Sequence, residues 1–163
     1  MIRLSLCFAL LSLNAAAAAN PAPDGPFPAE FWVSQKDGWT VKTATCDGGL
    51  CAYLVDFKLK PNDPPGYQPV DEHNPDRKKR GERMCNHMMM GGFHPSDDKN
   101  VTWDGGWIYD PDSGSTYDGK ITIVDQNTVK LRGFIGISLF GKTLVLRRQA
   151  ELPKQCTDPS APK

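Results

Sequence analysis

No charge of one sign prevails in this chain: 19 Lys and Arg stand against 19 Asp and Glu. That balance removes the net electrostatic attraction that draws a protein to nucleic acid or to an anionic membrane. Histidine is scarce, with three in 163 residues. There is no His-Glu-x-x-His, no nucleophile elbow and no phosphate-cradling glycine loop. Apart from one stretch at its start, the chain also lacks a long apolar run. These absences speak against a zinc hydrolase, a P-loop enzyme and a membrane-spanning protein.

The one apolar stretch opens the chain. Met1-Ile2-Arg3 leads into apolar residues from Leu4 to Leu13, then into an alanine run ending at Ala19. A basic start, a short apolar centre and an Ala-x-Ala exit make a secretory signal peptide. The apolar centre falls well short of the ~20 residues needed to span a bilayer. Cleavage after Ala19 is expected, with the mature protein periplasmic or secreted. Four cysteines then remain, Cys46, Cys51, Cys85 and Cys156, since Cys7 leaves with the signal. An even number in an oxidising compartment favours two disulfides, with ~3 pairings open on paper. The expected layout is a signal peptide at 1–19, a proline-rich lead-in at 20–29, one domain at 30–156 and a tail at 157–163.

Within that domain the apolar period is two. Cys51, Tyr53, Val55, Phe57 and Leu59 alternate with Ala52, Leu54, Asp56 and Lys58; Val129, Leu131, Gly133, Ile135 and Ile137 alternate with Lys130, Arg132, Phe134 and Gly136. Ile121 and Ile123 continue the pattern, and further strands are expected at 30–35, 39–46, 84–90, 102–109 and 142–149. Short Asp-, Asn- and Gly-rich turns separate them. About eight short strands joined this way predict an antiparallel barrel or sandwich. The exception is 60–83, a polar, proline-rich connection. A short helical turn is expected in it after Asn74-Pro75.

Three stretches bear on chemistry. Asp110, Asp112 and Asp118 have an alternating spacing that suggests a calcium loop, but an EF-hand requires Gly and Glu where Ser115 and Ile121 stand. A hairpin turn is the stronger reading. "MCNHMMM", residues 84–90, offers soft ligands for Cu(I), yet methionine is also an ordinary filler of cores and adaptable surfaces. No metal and no cofactor are expected. In "CDGGLC", Cys46 and Cys51 flank a tight turn within reach of a cross-strand bridge. Elimination then pairs Cys85 with Cys156. His73 near Asp71 and Asp76 is expected to be solvated, and with no acid, base and nucleophile together an enzyme is not expected.

Taken together, the Cys46/Cys51 turn, Asn74-Pro75-Asp76 with Arg80, Gly105-Gly106-Trp107-Ile108-Tyr109-Asp110-Pro111 through Thr116-Tyr117, and "KLRGFIGISLFGKTLVLRR" at 130–148 resemble a bacterial secreted family catalogued as domain of unknown function 2147. The resemblance implies an all-β, eight-stranded up-and-down barrel of the lipocalin-like (calycin) type. It also implies that Trp32 on the first strand and Arg148 on the last close the barrel.

On this reading the expected function is to bind a small lipophilic or amphipathic molecule inside the barrel. The expected lining is Tyr53, Val55, Phe57, Met88, Met90, Trp107, Tyr109, Ile121, Ile123, Leu131 and Ile135, with parity inferred from hydrophobicity alone, so that Met89 or Ile108 could replace a neighbour. The alternative is an envelope interaction or stress-response module whose barrel is packed. No nucleic acid and no membrane span are expected, and any protein partner is unknown.

Overall fold

The computed structural model describes residues 31–150 and Cys156. The expected signal peptide and lead-in, Glu30, residues 151–155 and the expected tail lie outside the described residues. Eight strands follow one another: β1 (Phe31–Ser34), β2 (Thr40–Cys46), β3 (Gly49–Asp56), β4 (Met88–Pro95), β5 (Thr102–Asp110), β6 (Ser115–Asp125), β7 (Thr128–Phe134) and β8 (Lys142–Gln149). Each pairs antiparallel with its neighbours in the chain, and β8 returns to β1 to close an up-and-down barrel. Closure leaves no row of unpaired backbone groups at a sheet edge.

The sequence dictates the tight turns. Asp47 and Gly48 both adopt positive φ, 47° and 78°, which is the two-residue hairpin turn that matches strand twist. It pairs Cys46 with Gly49 and aligns Ala44 with Cys51. At the β5–β6 turn, the Asp110 carboxylate accepts from the Asp112 backbone N–H at 3.1 Å and from the Ser113 hydroxyl at 2.9 Å. Asp110 therefore shapes a hairpin, as that stretch predicted.

Inside the barrel, Trp32, Val41, Leu50, Ala52, Met90, Phe93, Trp103, Ile121, Val129, Leu131 and Leu146 form one buried cluster. Met90 and Phe93 are three apart in β4, and strict alternation would send them to opposite faces. A bulge resolves this. On β4, Met90 pairs with Ala52 while Phe93 pairs with Leu50, so the strand carries an extra residue there. Register also shifts in β5 between Trp103 and Gly106. Phe93 fills the space beside Gly106 and Gly119, where a β-carbon would come within 2.4 and 2.5 Å of its ring.

Two expected elements differ. The strand foreseen at 84–90 begins only at Met88 and runs to Pro95. Met84 and Cys85 instead belong to a turn, both buried, where the Asn86 N–H donates to the Leu54 carbonyl and the Leu54 N–H to the His87 carbonyl. The helical turn is a 3-10 turn over Arg77–Lys79, capped by Asp76, whose carboxylate accepts from the Lys78 N–H.

The long β3–β4 connection lies against the outside of the barrel. Val55 and Tyr109 are buried without belonging to the interior cluster, and Asp71, Asn74, Met84 and Cys85 of the connection are buried with them. The Cys85–Cys156 disulfide pins the connection to the chain beyond β8, and Cys46–Cys51 staples the β2–β3 hairpin.

Candidate functional site

The barrel interior is the first place a ligand could sit. A void there has a volume of about 10 Å³ and is lined by Trp32, Val41, Thr43, Leu50, Met90, Ile121, Val129, Leu131 and Leu146. A single water needs roughly 10–15 Å³ on the same measure. Side chains therefore fill the barrel.

Of the expected lining, the structure brings Met90, Ile121 and Leu131 together at that void, with Ile123 packed against the same cluster. The rest stand elsewhere. Tyr53, Val55, Met88 and Tyr109 are on the outer face, and Phe57 lies beyond the end of β3 in the long connection. The Tyr53 hydroxyl donates to Cys46 Sγ at 3.2 Å. Trp107 and Ile135 are exposed. Parity explains most of these differences. In β3 the inward residues are Leu50 and Ala52, and in β5 the bulge turns Ile108 to the core in place of Trp107 and Tyr109. Ile135 falls just past the end of β7 and has no sheet to face.

The second place is outside the barrel, under the long connection. The Asp71 carboxylate is fully buried. One oxygen accepts from the Tyr109 hydroxyl at 2.7 Å and the other from Asn74 Nδ2 at 2.7 Å. Asn74 Oδ1 in turn accepts from the Asp76 N–H at 2.9 Å, and Arg80 Nε donates to the Asn74 carbonyl at 2.8 Å. Burial first, and then the Asp71 carboxylate, push the Tyr109 phenol well above its ordinary range. The His87 ring lies 6.1 Å from that of Tyr109. His73 reaches the β5–β6 turn, where its carbonyl would lie 1.9 Å from a β-carbon on Gly114.

Sequence reasoning missed this cluster. The signal was present as two separate motifs, Asn74-Pro75-Asp76 with Arg80 and Tyr109-Asp110-Pro111, but nothing in their spacing says that they meet. Chemically the cluster is a clasp. A buried carboxylate with both oxygens engaged by neutral donors fixes the connection to β5, and with Asp71 and Tyr109 both buried it presents no open face to a substrate.

Cys85, which stood among the soft ligands of 84–90, is bound in its disulfide. Among the described residues no three His, Cys, Asp or Glu side chains are grouped to hold a metal. Trp32 and Arg148 face each other across the β1–β8 seam as a register pair, with Trp32 buried.

The family model described as "Uncharacterized protein conserved in bacteria (DUF2147)" matches residues 31–148. The chain belongs to the DUF2147 family. That match starts at the first residue of β1 and ends at Arg148, so the DUF2147 domain and the barrel coincide. A solved structure with the same fold is the Helicobacter pylori protein HP1028, described as belonging to the lipocalin family. It has a TM-score of 0.64 and 16% identity, covering 76% of this chain and 83% of that one. No curated protein matches the chain. Within this DUF2147 domain, the Asn74-Pro75-Asp76 and Tyr109-Asp110-Pro111 stretches each supply one donor to the buried Asp71 carboxylate.

Proposed function

We propose that this protein is an exported, non-enzymatic lipocalin-like domain that uses its barrel as a packed scaffold and acts through its outer surface. The observation that carries this reading is the close-packed interior, where the void lined by the core cluster is about 10 Å³. Two disulfides suit an oxidising compartment, and among the described residues no helix is long and apolar enough to cross a membrane. Both fit export and periplasmic or extracellular residence.

A second reading keeps the small lipophile. It draws support from the void's lining, which is apolar except for Thr43 and includes the adaptable Met90. This reading requires the side chains to open around a guest. Titration with a lipophilic fluorophore separates the two. A packed scaffold gives no saturable enhancement, in the wild type or in Leu131→Ala. Saturable enhancement in the wild type that is abolished by Ala52→Leu would establish an internal site instead.

A further inference from the structure

The neutral total charge conceals a segment that carries one sign only. Between Asp125 and Glu151 there is no acidic residue, while Lys130, Arg132, Lys142, Arg147 and Arg148 are all basic. This is the β7–β8 hairpin, and its tip is apolar. Ile135, Ile137, Leu139 and Phe140 are 75%, 60%, 75% and 78% exposed. Four large apolar side chains clustered within residues 135–140 are unlike the scattered single exposures normal on a soluble surface.

The tip is built rather than loose. A 3-10 turn at Ser138–Phe140 ends it. Arg132 clamps it from below, donating from Nε to the Ser138 carbonyl at 2.7 Å and from Nη2 to the Leu139 carbonyl at 3.1 Å. Its Nη1 bonds the Thr143 hydroxyl at 2.8 Å. Main-chain groups that would otherwise resist leaving water are thereby satisfied, and the apolar side chains are held outward.

We propose that the β7–β8 tip docks on an anionic phospholipid bilayer. Ile135, Ile137, Leu139 and Phe140 enter the interface, and Lys142 and Arg132 oppose the headgroup phosphates. An apolar tip with cations immediately behind it is the arrangement that gains from both acyl-chain burial and anionic lipid. The tip projects instead of forming a groove, so it suits a fluid layer better than a shaped partner. A second copy is disfavoured because a two-fold contact through this hairpin would bring like charges together. Local segregation of charge thus restores the anionic-membrane attraction that the overall balance argued against. The proposal rests on the surface-acting reading, which the fluorophore titration tests separately.

The test is co-sedimentation of the mature protein with phosphatidylcholine vesicles, with and without phosphatidylglycerol. Binding is expected on the anionic vesicles and should weaken with salt. Leu139→Ser and Phe140→Ser should each lower partitioning roughly tenfold or more, and Lys142→Gln roughly fivefold. Because the tip is exposed, melting should be unchanged in all three. Should a serine variant fold poorly, Phe140→Trp gives an independent readout, its indole emission shifting to the blue on anionic vesicles. Absence of binding, variants that bind like wild type, or an unshifted emission from Phe140→Trp would each overturn the proposal. So would a soluble dimer dissolved by Phe140→Ser without vesicle binding, since the patch would then be an interface between copies.

Discussion

Replacing Gly106 by Ala tests the packing at the centre of the barrel. A β-carbon at Gly106 would lie 2.4 Å from Phe93 Cγ and 2.5 Å from its Cδ atoms. Ordinary contact begins near 3.4 Å, so the ring would have to recede by about 1 Å, and a core packed at crystal-like density has little slack to absorb that. Phe93 is completely buried within the core cluster, and the void in that cluster is only about 10 Å³, so the ring has little room to recede. Overpacking of this kind costs about 1–3 kcal/mol, and the upper end applies here. Lower backbone entropy of Ala in the unfolded chain offsets about 0.5–1 kcal/mol. A net loss of about 2 kcal/mol is expected, or roughly 8 °C in melting temperature. Urea unfolding of Gly106→Ala, Phe93→Leu and the double variant measures it. The smaller side chain should relieve the clash, so the double variant should be more stable than the sum of the singles by about 1 kcal/mol or more. Gly81→Ala, where nothing lies within 4 Å, serves as the control and should be near neutral. A neutral Gly106→Ala, or strict additivity in the double variant, would refute the packing argument.

Tyr109→Phe removes one of two donors from the buried Asp71 carboxylate and should cost about 1–3 kcal/mol by urea unfolding. Because folding raises the Tyr109 phenol above its ordinary value of 10.0, its contribution is complete below pH 10 and is lost as pH climbs beyond it, so the gap between wild type and Tyr109→Phe should narrow in alkali. Cys85→Ala with Cys156→Ala opens a bridge between residues 71 apart and should lower stability by about 4 kcal/mol, against about 2 kcal/mol for the five-residue Cys46–Cys51 bridge in the chain-entropy account; equal losses in thermal melts would contradict that account. Trp32→Ala should cost about 3–5 kcal/mol through the cavity it leaves, and an unchanged melting temperature in Arg148→Ala would mean that the cation across the seam contributes nothing.

The barrel was legible because three stretches carry period two, five further short strand candidates flank them, and the breaks between carry turn residues. The inward face was legible only in part. In β3 both faces are apolar, Leu50, Ala52 and Leu54 on one side and Tyr53 and Val55 on the other, because the long connection covers the outside. Hydrophobicity then cannot tell core from cover. In β4 and β5 the parity changes within the strand, at bulges where Gly92 and Gly105 take φ of 75° and 77°. A reading that extends one alternation along the whole strand crosses the bulge unaware and puts Trp107 inside. The clasp was hidden for a different reason. Asp71 and Tyr109 are 38 residues apart, and two polar residues so separated carry no sign that they share a proton donor and acceptor until the topology is known.

The seam between β1 and β8 has a consequence for how the chain reaches this state. Every other pairing joins consecutive strands, so hairpins can form early and locally, as in fast-folding low-contact-order chains. Closure alone must bring Phe31 to Gln149, across nearly the whole domain, and β1 offers only four residues to hold it. The Cys85–Cys156 bridge changes that search. Once it forms, the path from β1 to β8 runs through Cys85 and back from Cys156, which makes the loop to be closed about half as long. Halving a loop saves only about 0.6 kcal/mol of closure entropy, but the saving falls on the pairing that joins the two ends of the barrel. Oxidation that precedes closure should therefore speed refolding, and oxidation that follows it should not.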